Sequence, residues 1–182
     1  MFKEIAREKQ CEIEKRFPFL KYEELFPTPK TPFDEALVSD EVINAYHSLV
    51  VSAYDHWLSE EEEFISYATL FGMNKKEQKA KYPVYKNCEN KFINFYERLF
   101  KYDFYLIYMD EHIVHLKNKR DFLTFIKQDI REMRFHRYIV PDLGILIAGN
   151  FDLSHVIHAS KNFYKKSTFE EIVKESGLFI LK

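Results

Sequence analysis

Cysteine, glycine and tryptophan are scarce in this 182-residue chain, which has two Cys, four Gly and one Trp. Cys11 and Cys88 are too few for a disulfide framework and too far apart for a C-x-x-C pair. The glycines, at 72, 144, 149 and 177, never fall in G-x-G-x-x-G or Walker spacing, so nucleotide binding through those motifs is excluded. No stretch approaches the roughly 20 apolar residues that a membrane helix needs. The first eight residues carry acids and no apolar core, so no secretory signal is expected. Together these absences point to a soluble, cytoplasmic protein with reduced thiols, no membrane association and no cofactor.

What is abundant is aromatic: 17% of the residues, with 18 Phe and 12 Tyr, inside an ordinary 46% hydrophobic fraction. Aromatic side chains bury much area each, so a small domain can be stable on them. The formal net charge is -2, split as -4 over residues 1–99 and +2 over residues 100–182. That asymmetry is far from the basic footprint of a nucleic-acid binder.

The pattern of the chain predicts an α+β fold: an N-terminal helical half, residues 1–101, followed by a mostly antiparallel sheet in residues 102–182. One unit over 1–182 is expected. Residues 1–16 read as a weak helix, and Pro18, Pro27, Pro29 and Pro32 mark an irregular segment after it. From Glu41 to Leu58, Val42, Ala45, Tyr46, Leu49, Val50, Ala53, Tyr54 and Trp57 fall on one arc at 100° per residue. This predicts the best core helix in the chain. Ser59-x-x-Glu62 predicts a capping box for the next helix, and Asn74 the cap of a short one ending near Pro83. Residues 89–101 read as a further helix.

After Tyr102 the period changes, and the order predicted is β-β-α-β-β-β-α-β. Phe104–Met109 and His112–Leu116 form a hairpin, and helix 119–134 starts at an Asn118 cap. Strands follow at 138–140, 143–148 and 151–159. A two-residue Gly149-Asn150 turn sets Asp152 opposite Ile147 and His155 opposite Gly144. Ser167-x-x-Glu170 caps a last helix that Gly177 stops, before a closing strand at 178–181.

Four features carry candidate function. Arg120, Lys127, Arg131 and Arg134 are spaced to share one stripe of helix 119–134, with Phe122, Phe125, Ile126, Ile130 and Met133 opposite them. Aligned cations suit an acidic protein surface, although charge opposite a core stripe is also what an ordinary surface helix shows. The run Glu60-Glu61-Glu62-Glu63 complements a helix dipole before it suggests anything else. His112 with His115, and His155 with His158, are three apart in strand-like runs, so each pair points to opposite faces and lacks metal-ligand spacing. His155, among apolar neighbours, reads as a hydrogen-bonded core histidine.

A hydrolase-type site would have to be assembled across strands from Asp152, His158 and a third group such as His115, His112 or His136. Ser154 cannot reach His158 directly along one strand, and no G-x-S-x-G elbow exists. The expectation is therefore a non-catalytic cytoplasmic protein, immunity- or adaptor-like, that binds another protein through Arg120, Lys127, Arg131 and Arg134. The alternative is an enzyme built on Asp152, His158 and His115. Nucleic acid is disfavoured as a partner by the net charge, and the weak first helix is compatible with a homodimer.

Overall fold

The computed structural model describes residues 7–17, 45–59, 66–108, 112–149 and 153–181. Seven strands form one sheet in the order β3-β2-β4-β5-β6-β1-β7, and every neighbouring pair is antiparallel. The strands are β1 (Tyr46–Ser52), β2 (Tyr105–Tyr108), β3 (His112–His115), β4 (Arg137–Val140), β5 (Ile145–Gly149), β6 (Ser154–Ser160) and β7 (Phe179–Leu181). The helices are α1 (Arg7–Arg16), α2 (Tyr67–Gly72), α3 (Lys75–Leu99), α4 (Lys119–Ile130) and α5 (Lys166–Glu175). The α+β class and the β-β-α-β-β-β-α-β order of the second half are as the pattern predicts. Among the described residues, no helix is long and apolar enough to cross a membrane.

The helix expected over 41–58 is not found in the described part of that range beyond Ala45. Tyr46–Ser52 is instead an interior strand, paired with β6 from Tyr46↔Ser160 to Ser52↔Ser154 and with β7 on its other side. A strand covered on both faces needs apolar residues at successive positions, and the Leu49-Val50-Val51 run satisfies that need as well as it fits a helical arc. β-branched Val50 and Val51 favour the extended form, and pairing on both edges outweighs local periodicity. Trp57, expected inward, is 60% exposed beyond the strand. The helical half is thus looser than expected, because it lends a strand to the middle of the sheet.

The two faces of the sheet bury different cores. On one, Leu106, Tyr138, Ile147 and Ile157 pack with Phe92, Tyr96 and Leu99 of α3, Phe122 and Ile126 of α4, and Phe169 of α5. On the other, Tyr46, Tyr105, Ile139 and Leu146 pack with Ile13 of α1 and Phe17. Among the described residues, aromatic side chains contribute to the core on both sides.

α3 is one helix where two were expected. Asn74 caps it, its side-chain oxygen accepting from the Lys76 and Glu77 amides at 3.1 and 3.0 Å. Pro83 lies inside it on the exposed side, so water can reach the carbonyl that proline leaves unbonded. The buried stripe of Tyr85, Cys88, Phe92, Phe95, Tyr96 and Leu99 continues beyond it and carries the helix through.

Two further sequence expectations are corrected. α5 starts at Lys166 with no side-chain cap, so Ser167 lies inside it instead of capping it. The β5–β6 register sets Gly149 opposite His155 and Ile147 opposite Ile157, not the pairing of a two-residue turn. Leu153, at φ 47, lies before the first β6 residue and its carbonyl accepts from the Ala53 amide at 3.1 Å, so the connection is longer. The capping box expected at Ser59-x-x-Glu62, and Asp152 with it, involve positions outside the described residues; α2 is capped by Ser66 with Thr69.

Candidate functional site

α4 holds the predicted cations because its two faces differ in composition. Asn118 caps the helix, accepting from the Arg120 amide at 2.8 Å, and Phe122, Ile126 and Ile130 bury one side. Phe122 stacks on Phe100 with centroids 4.2 Å apart, which fixes the rotation of the helix. The opposite side is therefore turned outward. Arg120 is exposed and Lys127 half-buried, and neither pairs with a carboxylate among the described residues.

The helix stops at Ile130, short of the expected 134. Glu132 turns into the left-handed region at φ 56, and its amide bonds the Asp129 carbonyl at 2.9 Å. The Met133 amide returns to the Gln128 carbonyl at 2.9 Å, which completes a Schellman closure. Met133, expected in the core, is 62% exposed as a result. Arg134 follows on this loop and is exposed, also without a carboxylate partner among the described residues. Over the 11 residues from Arg120 to Arg131 the helix rises about 16 Å, so the four cations line a face and a corner rather than one patch.

The α5 closure shows how unusual that corner is. There Gly177 takes the left-handed position at φ 72, and Leu178, whose amide bonds the Val173 carbonyl, is buried. At α4 the same turn places a glutamate where glycine is favoured and an exposed methionine where an apolar contact is usual. Local rules are broken together most often where a surface has another use.

Arg131, the C-cap of α4, is the one stripe cation drawn into the fold. Its Nε donates to Glu89 Oε1 of α3 at 2.7 Å, and its guanidinium lies 5.0 Å from the centroid of the Tyr67 ring. Glu89 is 1% exposed and also accepts from Lys86. Burial alone would raise the Glu89 carboxyl, but the bonds from Lys86 and Arg131 hold it below its ordinary value. Tyr67 in turn packs edge-on against Phe71 at 4.7 Å, and Phe71 is 66% exposed. The corner thus links, through Arg131, Tyr67 and Phe71 of α2 to the end of α4 that carries Met133 and Arg134.

Behind it lies a buried polar chain that sequence reading missed. Asp129 is fully buried and accepts from the Tyr138 hydroxyl, from the His136 amide at 2.8 Å and, at 2.7 Å, from His136 Nδ1. Burial raises its carboxyl, only partly opposed by the bonds from His136 and Tyr138. One signal was available: Asp129 and Glu89 both fall on the apolar stripes of their helices, where an acid needs partners. His155 behaves as expected, 1% exposed with Nδ1 2.8 Å from the Tyr96 hydroxyl. Burial pushes its imidazole down to about 3.

The residues of the enzyme alternative do not gather. His158 and His115 share a sheet face but stand on β6 and β3, four strand intervals apart, or about 19 Å at roughly 4.8 Å per interval. His115 stacks on Tyr105 at 4.5 Å and lies 3.3 Å from Asp103. His158 Nδ1 lies 3.1 Å from the hydroxyl of Ser48, its cross-strand neighbour. Burial lowers the His158 imidazole to about 4, which makes it a weak base for activating a hydroxyl. His136 is held by Asp129, and His112 is exposed at the sheet edge. Among the described residues no three His, Cys, Asp or Glu side chains are grouped to hold a metal ion.

No protein-family profile matches the chain, and neither a curated protein nor a solved structure is significantly similar to it.

Proposed function

We propose that this chain is a non-catalytic, immunity- or adaptor-like protein that binds another protein through the cationic face and C-terminal corner of α4. One observation carries the reading: Arg120, Lys127 and Arg134 have no carboxylate partner among the described residues, while Met133, two residues on from Arg131, and Phe71, packed on the Tyr67 ring that Arg131 covers, stand exposed. Arginine, methionine and aromatic side chains are the types enriched at protein interfaces. Unpaired cations beside them steer an acidic partner and fix its orientation. With a net charge of -2, the rest of the surface gives no support to a polyanion such as nucleic acid.

The test is a native mass spectrum of the tagged protein isolated from its own host. The expected result is a mass above 22.0 kDa that matches a second, acidic polypeptide. A bare chain, or a simple multiple of it, contradicts the reading.

A further inference from the structure

The α4 corner contains a polar atom that the fold leaves unsatisfied. Tyr85 of α3 is 1% exposed, and its hydroxyl has no hydrogen-bond partner among the described residues. Buried hydroxyls are almost always bonded, and an orphan one costs folding stability that phenylalanine at the same place would not. The neighbourhood is specific. Tyr85 packs against the Tyr67 ring with centroids 5.7 Å apart, and Arg131 lies over that same ring. The charges acting on the hydroxyl are Glu89, Arg131 and Glu132.

Arg131 is itself only partly used. Its Nε is committed to Glu89, while its two terminal amino groups have no bonded partner among the described residues. The Glu89 bond and the Tyr67 ring hold the guanidinium in one orientation, so little freedom remains to be lost when a ligand arrives. A donor pair on Arg131 and a buried donor on Tyr85 belong to side chains that both pack against the Tyr67 ring. Both lack an acceptor.

We infer that this junction receives a carboxylate side chain of the protein partner, which accepts from the terminal amino groups of Arg131 and from the Tyr85 hydroxyl. The inference rests on the protein-binding reading and deepens it. Phe71, exposed, packs on the Tyr67 ring beside this junction and offers an apolar contact at its edge. A carboxylate suits the site better than a phosphate, because Glu89 and Glu132 already lie beside it and repel a dianion more than a single charge. Because the hydroxyl is covered, the Tyr67–Phe71 pair moves as the carboxylate enters. Both rings ride on α2, a helix of six residues.

The experiment uses the full chain, labelled at methionine methyls and arginine Nε, with a phenylalanine variant Tyr85→Phe beside it. The probes are the peptide acetyl-Glu-Glu-Leu-Glu-Glu-amide, its all-glutamine counterpart and inorganic phosphate. The expected result is a saturable shift of the Arg131 and Met133 signals with the glutamate peptide alone. Tyr85→Phe should weaken that binding about tenfold or more, as loss of a hydrogen bond to a charged group does, without lowering the melting temperature. Equal binding by Tyr85→Phe overturns the assignment. So does a stronger response to phosphate, which would make the junction a phosphate site. Shifts confined to Arg120 overturn the corner and leave the wider cationic face standing. Silence with all probes overturns the inference, and the host-isolated complex then decides the protein-binding reading by itself.

Discussion

The Arg131 guanidinium lies over the Tyr67 ring, 5.0 Å from its centroid, and joins the outer face of α4 to α2 while its Nε reaches the buried Glu89 of α3. One side chain therefore both closes the fold and presents charge at the surface. Arg131→Ala should cost about 1–3 kcal/mol in urea unfolding, because Glu89 stays buried with Lys86 as its other bonded partner. Arg131→Lys should recover only part of this, since an ammonium cannot lie flat on the ring and donate from Nε together. An unchanged midpoint for Arg131→Ala would mean that the pair adds no stability.

Glu132→Gly should stabilise the protein by about 1 kcal/mol. The residue occupies the left-handed region at φ 56, where glycine carries no steric penalty. Gly177→Ala, at φ 72, should destabilise by a similar amount. Thermal denaturation of both variants checks the pair, and matching signs would contradict the two closures described for α4 and α5.

Gly144→Ala should be far more damaging, about 3 kcal/mol or more. At φ 66 an added Cβ would lie 2.3 Å from the Phe163 carbonyl oxygen, a backbone atom that cannot turn aside. A soluble variant with an unchanged melting temperature would contradict the close approach of these two segments.

Stability should fall between pH 7 and pH 5. His155 and His158 have folded values of about 3 and about 4 against an ordinary 6.5, so the unfolded chain takes up protons first as the pH drops. Each contributes a loss of roughly 2 kcal/mol by pH 5. The raised Asp129 carboxyl has the opposite sign, because the folded state binds its proton first. Urea midpoints across this range, with His158→Gln at roughly half the slope of the parent, check the assignment.

The sheet of the second half was legible because its strands are short apolar runs separated by turn residues, and its two helices show clean 3.6-residue stripes. Residues 46–52 were not, since Leu49-Val50-Val51 fits a helical arc and a doubly covered strand equally well. What decides between them is pairing with Ser154–Ser160, more than a hundred residues away. The stripe on α4 was readable as spacing, but the helix end was not: Glu132 is an unfavourable residue for the left-handed turn that detaches Met133 and Arg134. The Arg131–Glu89 pair joins different helices, so no local pattern announces it. Glu89 and Asp129 could have been flagged as acids on apolar stripes, and naming their partners needed the fold.

The most direct test of the central claim is the affinity of the host-isolated partner for the double variant Lys127→Glu/Arg134→Glu. Both residues lie on the proposed face and neither supports the fold through an ion pair among the described residues, so the variant should keep its melting temperature. Arg131→Glu is avoided, because it would strand the buried Glu89 beside a second acid. The account predicts that the double reversal abolishes measurable binding, while Lys174→Glu, at an exposed position of α5, leaves it unchanged. Full affinity in the double variant would contradict it.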